Sequence, residues 1–113
     1  MSRKPSSHRV LLTAGTERDL EALHAHLLRS EGSTVADRLL QQLLEVTMEL
    51  SDFPQRGNFP AELLELGIRE YRQIFFKPWR LIYRIDGDEL IIHLLVDGRR
   101  DLRALLARRL LSA

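Results

Sequence analysis

Cysteine is missing altogether from the 113 residues. Disulfide frameworks and thiolate metal sites are thereby excluded, and nothing argues for export. Long apolar runs are missing too: none approaches the roughly 18 residues that a membrane span requires. The N-terminal stretch MSRKPSSHR is basic and polar, but no apolar segment follows it, so it does not read as a secretory signal. The expected location is the cytoplasm, without membrane attachment. Lysine is scarce, with Lys4 and Lys77 its only occurrences, so the basic side chains are almost all arginine. A strong excess of one charge is also lacking. The formal net charge is +1, well short of what a DNA-coating domain carries.

Charge is distributed unevenly all the same. Residues 1–30 carry five basic and three acidic groups, residues 31–68 two and seven, and residues 69–113 ten and six. The C-terminal part is an arginine pole. Arginine makes planar, bidentate contacts to phosphate or carboxylate, so such a pole suits nucleic acid or an acidic protein, and direct nucleic-acid contact stays open. With 44% apolar and 29% charged residues, the composition is that of an ordinary globular domain. One domain is expected over residues 8–113, preceded by a disordered tail, Met1–Ser7.

Along the chain, Arg9–Ala14 reads as a first strand ended by Gly15. Thr16-Glu17-Arg18-Asp19 has the form of a capping box, opening a helix from Glu17 to Arg29 with Leu20, Leu23, Leu27 and Leu28 on one face. Gly32 is expected in the left-handed C-cap position. Ser33 or Thr34 caps a second helix, with Asp37 near its positive end and a broad stripe of Val35, Leu39, Leu40, Leu43, Leu44, Val46, Met48 and Leu50. The short link predicts an antiparallel helical hairpin. Phe53–Pro60 is a loop, and Ala61–Leu66 a helical turn ended by Gly67. Three strands follow, Ile68–Lys77, Trp79–Ile85 and Glu89–Val96, the last two joined by Asp86-Gly87-Asp88, a hairpin signal. The third is apolar nearly throughout, as a central strand buried on both faces is. Arg99–Leu111 reads as a final helix with Leu102, Leu105, Leu106, Leu110 and Leu111 apolar. The fold class expected is α+β, in the order β-α-α-β-β-β-α, with the helical hairpin packed on a small, mostly antiparallel sheet.

Alternation along the second strand sends Arg80, Ile82 and Arg84 to one face and Leu81, Tyr83 and Ile85 to the other. Two readings of these arginines stay open: solvated surface charges with local ion pairs, or a face for a polyanion or an acidic partner. Metal binding is not expected. His24 and His26 point to different sides of a helix, and His8 and His93 lie elsewhere. Nucleophilic catalysis has no Cys, no Gly-x-Ser-x-Gly elbow and no phosphate loop. An arginine-centred site on Arg80, Arg84, Arg99 and Arg100 is the option left. Proton transfer there would fall to His93, Tyr71, Tyr83 or a carboxylate, because arginine does not release its proton.

These residues carry a resemblance. Phe53-Pro54-x-Arg56-Gly57 leading to Glu62-Leu63, Tyr71-Arg72, and Lys77-Pro78-Trp79-Arg80-Leu81-Ile82-Tyr83-Arg84-Ile85 resemble the RelE/ParE superfamily of bacterial type II toxin–antitoxin modules. So do Asp97-Gly98-Arg99-Arg100-Asp101 and Arg108-Arg109-Leu110-Leu111. The likeness runs from Val10 to Leu111. It implies a toxin neutralised by a cognate antitoxin, with no cofactor. RelE-like members cut mRNA on the ribosome, which would make Arg80 and Arg100 the catalytic arginines here. ParE-like members inhibit DNA gyrase. The tyrosine of the RelE-like C-terminus falls here at about Leu106, and the lysine-rich strand is reduced to Arg69, Arg72 and Lys77. The Asp97–Asp101 segment and the Arg-Leu-Leu ending resemble the ParE branch. A gyrase-inhibiting toxin is therefore the leading expectation, with mRNA cleavage, or an inactive member retained for antitoxin binding, as alternatives. On that reading Arg80, Arg84, Arg99, Arg100 and Arg103 face the target. Trp79, Tyr83, Arg72, Leu27 and Leu44 face a ParD-like ribbon-helix-helix antitoxin, whose acidic tail forms the hetero-oligomer.

Overall fold

A computed structural model describes residues 7–111, with the side chains of Leu110 and Leu111 outside that description. The elements are β1 (Arg9–Leu12), α1 (Ala14–Glu31), α2 (Ser33–Asp52), α3 (Ala61–Leu64), β2 (Arg72–Phe76), β3 (Trp79–Asp86), β4 (Glu89–Asp97) and α4 (Leu102–Leu111). The expected tail, Met1–Ser7, lies outside the described residues except for Ser7, which donates to Asp52 Oδ1 at 3.3 Å. Among the described residues no helix is long and apolar enough to cross a membrane.

Thr13, not Thr16, opens α1. Its Oγ1 accepts from Thr16 N at 3.1 Å, while Thr16 is buried and donates its own hydroxyl to Ile92 O at 2.7 Å. Gly15 is therefore not a strand breaker: it lies in the first turn of α1. The expected capping carboxylate, Asp19, turns instead to the sheet, where Oδ2 accepts from Leu95 N at 3.1 Å. Gly32 alone joins the two long helices. Its φ of 96° and ψ of 172° lie outside the left-handed helical well expected there, and its N–H donates to Leu27 O.

The sheet runs in the order β1-β4-β3-β2. β1 pairs parallel with β4, and the β4–β3 and β3–β2 pairs are antiparallel. β4 is thus an interior strand, as its apolar run implied, and β3 is the other. Gly87, with φ of 63°, supplies the tight turn between β3 and β4 that a side chain would disfavour. Register slips between Ile82 and Tyr83, which face Leu94 and Ile92, so His93 is the extra residue of a bulge. The slip changes which way β4 presents its side chains. Leu90, Ile92 and Leu95 join Leu81 and Tyr83 against α1 and α2, whereas Leu94 and Val96 join Ile82 against Leu63 of α3 and Leu102 and Leu106 of α4. The result is three layers: the helical hairpin, the sheet, and the pair α3/α4.

The broad stripe expected on α2 is two stripes. Ala36, Leu39, Leu43 and Leu50 are buried, while Leu40, Leu44 and Met48 face solvent at four-residue spacing, Leu44 54% and Met48 62% exposed. In α1, Leu27 is buried and Leu28 exposed, because adjacent positions on a helix lie about 100° apart.

Tyr83 ties the loop before α3 to the core. Its hydroxyl donates to Pro54 O at 2.6 Å and accepts from Gly57 N at 3.0 Å. Gly57 must be glycine, since a Cβ there would sit 2.6 Å from Gln73 O and 2.7 Å from the Tyr83 hydroxyl. Tyr83→Phe leaves the Gly57 N–H and the Pro54 carbonyl without the hydroxyl that joins them. We expect urea unfolding to report a loss of about 1–3 kcal/mol. An unchanged midpoint would show that water replaces the hydroxyl.

Candidate functional site

Arg80 emerges from the middle of the sheet onto the α4 side and is only 5% exposed. Its guanidinium forms a fork with Glu62 of α3, Nη1 to Oε2 at 3.0 Å and Nη2 to Oε1 at 3.2 Å. Nε donates to Gln73 Oε1 at 3.1 Å, a contact that Nη2 shares. The group also lies 5.1 Å over the Phe75 ring. The hydrogen bonds from Arg80 hold the Glu62 carboxyl below the 4.5 of an unperturbed glutamate, against the opposing effect of burial. Arg80 is therefore neither a solvated surface arginine nor open to a phosphate: its charge is already met inside the protein.

The remaining candidate residues separate into three places. Arg99 and Arg100 lie on the turn after β4, and Arg103 on the first turn of α4. Arg99 is 87% exposed and forms its own fork with Asp97, which together with the Arg99 backbone N–H holds that carboxyl at about 2. Arg100 is exposed, and Arg103 reaches Glu65 at 3.9 Å. No hydrogen bond or ion pair among the described residues joins Arg80 to Arg100. Arg84 lies at the far end of β3, 3.5 Å from Asp86 and 3.4 Å from His93 Nε2. Burial, then Arg84 and Arg109, push the His93 imidazole below its ordinary value, so the neutral ring accepts from Arg84. Burial raises Tyr71, which packs edge-on against His93.

Of the residues expected to face an antitoxin, Leu27 and Trp79 do lie together. They line a groove of about 480 Å³ between α1, α2 and the Lys77-Pro78 turn, and Arg99 shares its rim. Leu23, Val35 and Leu39 complete its apolar floor. The others do not meet there. Tyr83 is fully buried, Leu44 is on the opposite side of α2, and Arg72 lies at the sheet edge over the Phe59 ring. Arg38 and Lys77 on the rim were not among the site residues expected from the sequence. Both are exposed, and neither makes an ion pair among the described residues. Only the packing of α2 beside the β2–β3 turn brings these two cations, 39 positions apart, to one rim.

Comparison with known proteins was made against this geometry. Residues 10–103 match a family described as the ParE toxin of the type II toxin–antitoxin system parDE. The chain is 31% identical over 101 residues to Toxin ParE3 of Caulobacter vibrioides, covering 89% of this chain and 97% of that protein. A solved structure of the chromosomal ParDE toxin–antitoxin system from P. aeruginosa has a similar fold, with a TM-score of 0.67 at 20% identity, over 82% of this chain and 98% of that one.

The Arg80–Glu62 pair can be tested without knowing any partner. Glu62→Ala strands a buried guanidinium and is expected to cost about 3–5 kcal/mol, more than the double change Arg80→Met with Glu62→Leu, which removes both charges. Because the folded carboxyl titrates lower than the unfolded one, the pair stabilises fully above about pH 4.5 and fades as pH falls through the folded value. Glu62→Gln removes that contribution, so urea midpoints of wild type and variant should converge in acid and differ at neutral pH. A constant difference across pH would rule out Glu62 as the titrating group.

Proposed function

This chain belongs to the ParE toxin family of type II toxin–antitoxin systems, and from that membership we propose that it inhibits DNA gyrase and is held silent by a ParD-like antitoxin. One observation carries the choice of target over mRNA cleavage. The arginine that phosphodiester cleavage would use, Arg80, is locked to Glu62, whereas Arg99, Arg100 and Arg103 stand outside on one short segment. That segment and the exposed side of α4 are the target-facing surface. Catalysis by this chain is not part of the reading, and its place of action is the cytoplasm.

The antitoxin belongs in the groove. Its apolar floor fits one face of an amphipathic helix, and the rim cations Arg38 and Lys77 fit acidic residues flanking that face. An antitoxin tail that orders on binding loses conformational entropy, and burial of the floor offsets that loss. Leu27 and Trp79 are then contact residues, Arg99 is shared by both surfaces, and Tyr83 acts from inside the fold.

The two surfaces predict separable effects. Arg38→Glu with Lys77→Glu should weaken antitoxin binding by about tenfold, mostly through slower association and with reduced salt dependence. Gyrase inhibition should persist in that variant. Arg100→Glu with Arg103→Glu should abolish inhibition and change antitoxin affinity by less than about threefold. The assay uses purified chain, gyrase and supercoiled plasmid, scored for trapped linear DNA with and without antitoxin. No linear product from the unsubstituted chain would reject the gyrase reading and return mRNA cleavage on the ribosome to the front.

A further inference from the structure

β3 outruns β2. The first residue of β2, Arg72, pairs with Tyr83, so Arg84, Ile85 and Asp86 extend beyond it with no partner strand on that side among the described residues. The space left at this corner is a concavity of about 290 Å³ lined by Phe59, Arg69, Glu70, Arg72, Arg84 and Ile85. Three arginines thus line one concavity, Arg69 and Arg72 from the segment that enters β2 and Arg84 from β3, with Glu70 the one carboxylate in the lining.

Each arginine is held or free in a way that leaves positive charge on offer. Arg72 is fixed by donating Nη1 to Gly57 O at 2.8 Å and Gln55 O at 3.2 Å, and its guanidinium lies 4.5 Å over the Phe59 ring. Two carbonyls and a ring orient the group without neutralising it, and no carboxylate pairs with it among the described residues. Arg69 is exposed and makes no hydrogen bond or ion pair among the described residues. Arg84 is engaged by Asp86 at 3.5 Å, but that carboxylate is largely in water and its hold is weak.

We propose that this corner is a binding site for a phosphate group of a nucleic-acid strand. The protein shows what a carboxylate needs: one arginine fork, as Arg80 gives Glu62. Three arginines lining one concavity offer more donors than a planar carboxylate takes up, and suit a tetrahedral oxyanion with more acceptor oxygens. The volume lies just below that of ordinary small-molecule sites, so it takes a projecting group rather than a whole ligand. The open strand edge leaves room for the polymer that presents it. Inorganic phosphate offers the same chemistry without the polymer. The corner shares no residue with the antitoxin groove, nor with Arg99, Arg100 or Arg103, so its test is independent of the gyrase reading.

The experiment is fluorescence anisotropy on the full chain with labelled single- and double-stranded DNA of about 12 nucleotides, titrated between about 50 and 200 mM salt. Binding is expected in the micromolar range. Arg69→Glu should weaken it by about tenfold and lower the salt slope by about one. Because Arg69 is exposed and makes no ion pair among the described residues, the variant's far-UV spectrum and urea midpoint should match the wild type. Arg38→Glu, on the groove, should leave DNA binding unchanged. Millimolar inorganic phosphate as competitor distinguishes the sources: weak displacement supports the strand, and displacement as strong per molecule as by DNA assigns the site to free phosphate and overturns the polymer. An acidic peptide that binds tighter than DNA and responds to the same Arg69 change makes the corner a carboxylate-docking surface and overturns the proposal. Absence of binding at low salt, or equal losses from Arg69→Glu and Arg38→Glu, overturns it as well.

Discussion

A strand in the middle of a small sheet with helices on both sides has no solvent-facing side, and β4 is built to that constraint. From Leu90 to Val96 it gives residues to both cores, and the extra residue at His93 lets it do so with a run that does not alternate strictly. Without the slip, Leu94 and Leu95 would each face the wrong layer. Both helical layers depend on this strand: α1 and α2 pack on one half of its side chains, α3 and α4 on the other. Asp19 reinforces it from the edge that β1 leaves uncovered, accepting from Leu95 N while Oδ1 receives Arg109 Nη2 at 2.8 Å. Arg109 also donates to His93 O at 2.7 Å, so α1, the bulge and α4 meet at one ion pair.

Arginine serves three physical purposes in this chain, and burial separates them. Arg80 and Arg109 sit among carboxylates and carbonyls at fixed distances, where a guanidinium can use several donors at once. Arg72 is fixed by carbonyls and a ring and keeps its charge. Arg69, Arg100 and Arg103 stand in water, where local pairs contribute little to stability and the charge is available to others. The arginine pole of the composition is therefore not one surface. A functional argument that treats it as one would assign to a target the arginine that holds α3 to the sheet.

The surfaces proposed for the two partners follow from the same sorting. The groove combines apolar side chains that the sheet does not fully cover with two cations, Arg38 and Lys77, that make no ion pair among the described residues. The turn after β4 offers charge alone. On the proposed reading one surface reaches a target and the other is where the toxin is silenced, and Arg99, which lines the groove while standing almost fully in water, lies between them.

Local and periodic features were legible in the residues. The hairpin at Gly87, the two long helices and the burial of the third strand on both sides all follow from short-range sterics and from the period of apolar positions. The α+β order followed from these, and the family from motifs whose spacing those elements preserve. Helix starts were not legible in the same way. Thr13 and Thr16 are equivalent as capping residues, and the choice was made by Ile92 O, a partner 76 positions along the chain from Thr16. The two stripes of α2 likewise read as one, since Leu39 and Leu40 are equally apolar and only the position of the sheet decides which is buried. Arg80 is the extreme case. Its alternation pattern correctly assigned its face, yet whether that face held water, a target or Glu62 depended on where α3 came to rest. A charge in a sequence states what a side chain can bind. Its neighbours, brought together by packing over long separations, decide whether that capacity is still free.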